Sequence, residues 1–414
     1  MKPKPDARHE VTRTAQDEQT NLGADDLLGQ ALARQNMARA WQRVKANKGS
    51  AGVDGRTVQA TGEYLKTAWA DIRAALLAGR YRPEPVRPVG IPKPGGGTRE
   101  LGIPTVVDRL IQQALLQVLQ PLIDPTFSAH SHGFRPGRSA HGAVLQAQQY
   151  VAAGCTTVVD VDLEKFFDRV NHDILMDRLA KRIKDKQVLR LIRRYLQAGV
   201  MAHGVCSQRD EGTPQGGPLS PLLANVLLDE VDRELERRGH KFVRYADDCN
   251  VYVNSRRAGQ RVLGALRACY AKLALKVNEA KTAVAPVWGR KFLGYCMRPA
   301  KAGPKLAVAP QALDKLRERV RQLTRRSRGR SLEQVAADLR AYVPGWKAYF
   351  QLAQTPTVMQ ALDRWLRHRL RAVQLAQWKR GPTAYRALRR LGAGQDQALC
   401  IAGNLRRWWH TSAI

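Results

Sequence analysis

KFVRYADDCNVYV (residues 241–253) sets two short β-like runs, 241–245 and 249–253, on either side of Ala246, Asp247 and Asp248. Apolar and β-branched residues alternate or run together in both, so the stretch predicts a hairpin with two adjacent carboxylates at its tip. Like charges that close repel and raise one pKa. A bound cation removes that cost, and a hard ion such as Mg²⁺ takes a few carboxylates together with substrate phosphates. Aspartate is also a common turn residue, and by itself the stretch reads equally as an acidic β-turn.

The neighbouring segments weigh on that choice. TTVVDVDLEKFFDRVNH (156–172) begins as an almost wholly apolar strand interrupted by Asp160 and Asp162. Two residues apart, their side chains point the same way. A buried strand does not carry carboxylates without a partner. Asp162 is therefore the candidate third metal ligand, facing the tip, while Asp160 and Asp168 read as structural. In EGTPQGGPLSPLLANVLLDEVDREL (211–235) a Gln-Gly-Gly-Pro turn opens a helix near Ser220. Glycines there allow close approach of backbone to a ligand; a plain loop-to-helix entry is the other reading. YRPEPVRPVGIPKPGGGTRELGIP (81–104) is too rich in proline for a helix and predicts edge strands around a glycine turn at 95–97. Lys93 and Arg99 flank that turn, and two such cations can hold a triphosphate. A solvated basic loop is the plainer alternative.

The 414 residues suffice for two or three domains, and 44% hydrophobic residues for a sizeable core. A net charge of +33 calls for a polyanionic partner, above all nucleic acid. The six cysteines are scattered with no C-x-x-C pair, which argues against a zinc site or a disulfide framework and fits a reducing cytosol. No apolar run is long enough for a transmembrane helix, and the N-terminus lacks the apolar core of a secretory signal.

Residues 1–25 are polar and predicted to be disordered. Helices are predicted over 26–48, 63–78, 173–198 and 256–273, with Thr105 capping another. LKVNEAKTAVAP (275–286) predicts a strand carrying Lys281, and KFLGY (291–295) one more short strand. Past residue 300 the composition shifts: residues 301–414 hold 23 Lys and Arg against 6 Asp and Glu, about half the net charge, and five of the eight tryptophans. The pattern predicts helices over 311–326, 331–342 and 357–377, with Pro344, Gly345 and Pro356 as punctuation. Arg317, Arg319, Arg321, Arg325, Arg326, Arg328 and Arg330 crowd one helix and its exit. So many uncompensated arginines beside aromatics read as a nucleic-acid surface rather than a solvated face.

A carboxylate strand (DLEKFFD), a Gln-Gly-Gly turn (TPQGGPLSPLLAN) and a Tyr-x-Asp-Asp hairpin, in that order, resemble the palm of a reverse transcriptase. IPKPGGGTRELGIPTVVDRLIQQAL and SHGFRPGRSAHGA resemble the fingers of bacterial group II intron-encoded reverse transcriptases, and NKGSAGVDG their N-terminal extension. FLGY resembles the primer-grip region and LRAYVPGWKAYF the maturase-specific thumb. The resemblance covers about residues 30–410 and implies an α+β right-hand polymerase, with fingers and palm around an antiparallel sheet, an α-helical thumb and a basic C-terminal tail. The implied domains are an N-terminal extension (1–80), fingers and palm (81–300), a maturase and thumb domain (301–375) and a DNA-binding tail (376–414).

By the same resemblance Asp162, Asp247 and Asp248 carry two Mg²⁺ ions, with Mn²⁺ as the alternative, and Lys93 and Arg99 grip the incoming triphosphate. Phe167 occupies the position of the sugar gate that selects dNTPs, Gln215 lines the nucleotide and template pocket, and Lys281 is the candidate proton donor to pyrophosphate. Arg317, Arg321, Arg325, Arg326, Arg328, Arg330, Trp346 and Lys347 are the expected nucleic-acid contacts. The expected activity is RNA-directed DNA synthesis joined to a maturase role, in which the protein binds its group II intron RNA, promotes splicing and copies the intron into target DNA. A maturase with an idle polymerase and a related enzyme of phage defence or another retroelement are the alternatives. The chain ends at WWHTSAI without a His/Cys-rich stretch, which suggests the endonuclease-lacking class. The expected setting is the bacterial cytoplasm, at the nucleoid during DNA targeting and away from membranes. Primer–template, target DNA and dNTPs are the expected partners, and a homodimer is left open.

Overall fold

The computed structural model describes residues 26–92, 98–202, 205–207, 211–213, 216–325 and 329–405. The expected disorder of 1–25 and the glycine turn at 95–97 lie outside them. The chain divides into two compact units, Met1–Ala143 with Thr157–Ala285 and Val144–Thr156 with Pro286–Ile414.

The described elements begin with α1 (Leu27–Ala31), α2 (Arg34–Ala46), α3 (Val58–Leu77), β1 (Arg87–Pro92), β2 (Thr98–Ile103) and α4 (Val106–Ile123). After α5 (Ala140–Ala152), which is shared between the units, come β3 (Thr157–Val161), α6 (His172–Ala180), α7 (Lys186–Gln197), β4 (Val200–Ala202) and β5 (Val205–Ser207). The first unit ends with α8 (Ser220–Arg237), β6 (Lys241–Tyr245), β7 (Asp248–Val253), α9 (Arg256–Lys272) and β8 (Ala283–Pro286). Its main sheet has the order β6-β7-β3-β8. Pairing of β6 with β7 and of β7 with β3 is antiparallel. The helices close over the sheet with a single apolar cluster that includes Val159, Phe242, Val251, Leu227 and Leu266. Contact between α9 and the sheet is intimate at Gly259, where a Cβ would stand 2.4 Å from a Val284 methyl. The α+β class with an antiparallel palm-type sheet is thus as expected.

Several expected elements are divided differently. The predicted helix 26–48 breaks at Ala33, whose backbone is extended. Asn36 donates to the Ala31 and Ala114 carbonyls, so a side chain satisfies the end of α1 that a continuous helix would have satisfied itself. The predicted helix 173–198 is two helices, because Asp185 turns away to cap α7 and to accept from the Leu28 amide. Lys281 lies in a turn closed by Asn278 rather than in a strand.

In the second unit, β9 (Lys291–Phe292), β10 (Tyr295–Arg298) and β11 (Lys305–Val308) form an antiparallel sheet. Five helices follow: α10 (Pro310–Leu323), α11 (Leu332–Tyr349), α12 (Pro356–Trp378), α13 (Gly381–Arg390) and α14 (Gln395–Gly403). Leu316, Val320, Val335, Leu339 and Leu362 form the core of the first three. The expected stop at Pro344 does not occur, and α11 runs through it. A proline inside a helix costs about 3 kcal/mol; past it, the end of α11 is packed through Phe350, whose ring meets Trp346 (ring centroids 4.6 Å) and Tyr295 (5.2 Å). The predicted strand 291–295 is interrupted at Leu293 and Gly294, both at positive φ. Gly294 lies beneath the Phe350 ring, which a Cβ would meet at 3.1 Å. Among the described residues no helix is long and apolar enough to cross a membrane.

Asp108, at the start of α4, is buried and accepts from Thr105 Oγ1 (2.7 Å) and Tyr81 Oη (2.8 Å). Burial pushes its carboxyl from 3.8 up to about 6, against the pull of those hydrogen bonds. A raised folded-state pKa means that the fold holds the proton more tightly than the unfolded chain. The resulting stabilisation, roughly 3 kcal/mol, is complete below the unfolded pKa and is lost as pH rises through about 6. Asp108→Asn should therefore flatten the pH dependence of stability across that window in urea unfolding. Equal slopes in the native and variant proteins would refute this.

Candidate active site

The Tyr245↔Asp248 pair closes the β6–β7 hairpin, so Asp248 opens β7 instead of sitting at the tip as expected. On the other side of β7, Val161 pairs with Cys249. Asp162, just past the end of β3, and Asp248, the first residue of β7, are thus the next residues beyond that last pair, at the same end of the sheet. The backbone of Asp162 is held by the turn before β8: its amide donates to Thr282 Oγ1 (3.2 Å) and its carbonyl accepts from the Asn278 amide (2.8 Å). Its carboxylate is 3.5 Å from the exposed Lys281 ammonium. Asp160 is paired with Asn250 one step further from the end, in keeping with a structural role.

The hairpin tip is fixed from beneath. Ala246 adopts φ +57°, a left-handed conformation uncommon outside glycine. Arg244 is wholly buried, and its Nη1 donates to the Ala246 carbonyl and to Asn225 Oδ1, both at 2.9 Å. Its Nε and Nη2 clasp Asp232, which is equally buried, at 2.6–3.0 Å. Burial raises the Asp232 carboxyl, against the pull of the guanidinium. Asn225 donates from Nδ2 to the Gly133 carbonyl (2.9 Å), and Gly133 is seated so closely on the hairpin that a Cβ would lie 2.2 Å from the Ala246 nitrogen. None of these supports was singled out from the sequence. Arg244 could have been: it is a charge set between apolar residues of a short strand. Asn225 and Asp232, seven residues apart, share the α8 face that meets it.

Phe167 lies in the 3₁₀ turn Phe166–Asp168 that follows β3, half-buried and edge-on to Phe166 (centroids 5.1 Å). Residues 211–213 clamp that turn. The Thr213 amide donates to the Phe167 carbonyl, the Gly212 amide to the Val170 carbonyl, and His172 Nε2 lies 2.7 Å from the Gly212 carbonyl. Phe167 also lines a cavity of about 470 Å³ with Phe134, Arg109, Gln113, Gly216 and Gly217. The two glycines serve internal packing: a Cβ on Gly216 would lie 2.7 Å from the Gly102 carbonyl, and one on Gly217 would lie 2.5 Å from Gln112 Oε1.

Lys93, Gln215, Arg326 and Arg328 lie outside the described residues, as does the Arg99 side chain; the Arg99 backbone pairs with Ile91 across β1 and β2. In the second unit, Arg321, Arg325 and Lys347 are exposed. Arg317 is ion-paired with Asp314, and Arg330 with Asp338. Trp346 is half-buried and packs against the helical cluster. The expected contact set is thus divided among exposed cations, paired ones and a half-buried aromatic.

Among the described residues no three His, Cys, Asp or Glu side chains already stand together as a metal-binding group. Asp162, Asp247 and Asp248 are nonetheless the kind of hard oxygen donors that a divalent ion takes, and Asp162 already faces a positive charge, the Lys281 ammonium.

The model of the family described as reverse transcriptase (RNA-dependent DNA polymerase) matches residues 91–297, half of the chain. That described as the group II intron maturase-specific domain matches residues 313–392. The protein YkfC of Escherichia coli K12 is 38% identical over 208 residues, 49% of this chain and 55% of its own length. The group II intron-encoded protein LtrA of Lactococcus lactis is 37% identical over 206 residues, 50% of this chain and 34% of LtrA. The mitochondrial nuclear intron maturase 1 of Arabidopsis thaliana is 31% identical over 198 residues, covering 35% of this chain and 27% of its own. The chain therefore spans about half the length of these relatives or less. Members of the matched family use divalent metal ions, which agrees with the carboxylates at the strand ends. With its antiparallel palm-type sheet and the match over half its length, the chain belongs to the reverse transcriptase family, and its residues 313–392 match the maturase-specific domain of group II intron proteins.

Proposed function

We propose that the protein is the RNA-directed DNA polymerase of a group II intron and also its maturase, binding the intron RNA to promote splicing and copying it into DNA at a target site. The observation that supports this is the β3–β7 register, in which Val161 pairs with Cys249, so that Asp162 and Asp248 are the next residues of their segments at the same end of the sheet. Residues 1–80 form the N-terminal extension, 81–300 the fingers and palm, 301–375 the thumb and 376–414 a basic DNA-binding tail. Asp162, Asp247 and Asp248 hold two Mg²⁺ ions, which when bound supply positive charge to the primer 3′-hydroxyl and the triphosphate. Lys93 and Arg99 grip the triphosphate, Gln215 lines the nucleotide and template pocket, and Lys281 donates a proton to pyrophosphate. Phe167 excludes a ribose 2′-hydroxyl, a role supported by its clamped turn and its place in the cavity wall. The exposed arginines of α10 and its exit take RNA phosphates.

Primer extension on an RNA template with Mg²⁺, with dNTPs and NTPs in parallel, tests the reading. The native protein should extend with dNTPs only. Phe167→Ala should admit NTPs about tenfold better or more, since removing a ring from a tight pocket relaxes discrimination by about that factor. No extension by the native protein with either nucleotide would remove the polymerase and leave an RNA-binding maturase.

A further inference from the structure

Phe134 carries two costs that folding does not recover. Its φ is +60°, where a bulky side chain is strained. The residue is 48% exposed, and among the described residues of the first unit it is the one exposed Phe, Tyr or Trp. The backbone on either side cannot relax. The His132 amide donates to the Arg244 carbonyl (2.8 Å), and Gly133 is wedged on Ala246 with its carbonyl taken by Asn225. After it, Arg135 is buried, with Nε on Asp124 Oδ1 (2.9 Å) and Nη1 on the Ser128 and Ser131 carbonyls. The same contacts that hold the Asp247–Asp248 hairpin therefore hold the Phe134 ring out into the cavity it shares with Phe167, Gln113 and Arg109. Strain overdetermined by its surroundings is characteristic of functional sites.

We propose that Phe134 is a stacking platform for a nucleobase in this cavity, a role that rests on the polymerase reading of the site. At about 470 Å³ the space suits a nucleoside, and its wall combines an exposed aromatic face with glycine backbone and a few polar groups. Any nucleobase has a π-face, so the contact is tolerant of sequence. The base belongs either to the incoming nucleotide or to the template, and the two sources differ in which affinity depends on the ring.

The test uses Phe134→Gly and Phe134→Tyr in the full-length protein. Glycine accepts φ +60° without strain, so Phe134→Gly should melt at or above the native temperature. It should lose roughly tenfold or more in affinity for the stacked base, the usual effect of removing one aromatic–base stack. If the base is that of the incoming nucleotide, KM for dNTP rises in primer extension. If it is a template base, Kd for a labelled RNA–DNA primer–template rises in fluorescence anisotropy without dNTP. Phe134→Tyr should restore native values in whichever assay changed. A Phe134→Gly protein with KM and Kd both within twofold of native overturns the proposal. So does one that melts several degrees lower, because the ring would then be structural. If the native protein extends no primer, the polymerase reading fails by itself, and the anisotropy measurement decides the proposal separately.

Discussion

Asp247→Asn will abolish primer extension by a factor of about 10³ or more while leaving RNA binding and its salt dependence at native levels. The side chain keeps its size and loses one charge. Removing one of three carboxylates that hold divalent ions forfeits several kcal/mol of transition-state stabilisation, on the order of 4 kcal/mol, and each 1.36 kcal/mol is a decade in rate. RNA affinity depends on cations facing phosphates, and Asp247 is not one of them. The fold should not suffer either: in metal-free buffer the substitution relieves repulsion between neighbouring carboxylates, and the melting temperature should hold or rise slightly. Extension within tenfold of native would show that the carboxylate pair is not the metal site. A parallel loss of RNA binding would show that the hairpin organises more than catalysis.

Arg244→Met should destabilise the first unit by about 3–5 kcal/mol, because it strands the Asp232 charge in a fully buried position. For a unit of this size that is a fall of roughly 10 °C in melting temperature. The informative protein is the double variant Arg244→Met with Asp232→Leu. Replacing both members of a buried ion pair with apolar residues is often neutral, so most of the stability should return. Activity should not return, because nothing then donates to the Ala246 carbonyl or braces Asn225 against the Gly133 loop. Denaturant unfolding and kcat in primer extension, measured on the native, single and double variants, separate the two effects. Recovery of both in the double variant would make the network purely stabilising.

Asp162, Asp247 and Asp248 stood out in the sequence because carboxylates there depart from the apolar pattern of a strand, whereas Phe167 was singled out only through the family resemblance of its position. Local pattern also located the hairpin, the Thr105-capped helix and the helical second unit. It placed boundaries poorly where a polar side chain interrupts a helix while also bonding a distant segment, as Asp185 does with Leu28 and Asn36 with Ala114. Asp185 ends one helix by capping the next, and Asn36 ends α1 by taking its last carbonyl. The arginine cluster was legible as charge but not as contacts. Pairing of Arg330 with Asp338 and the packing of Trp346 against the helical core are set by tertiary structure.

From the sequence alone came the order and chemical identity of the blocks, since strand period, turn residues and charge density are properties of neighbours in the chain. Only the tertiary structure decided which strand end meets which, that Lys281 stands against Asp162, and that Arg244 rather than solvent holds the hairpin tip. The reason is that burial and choice of partner are non-local. A charge is affordable inside the fold only where the rest of the chain delivers its counter-charge and hydrogen bonds, and no short stretch of sequence carries that information.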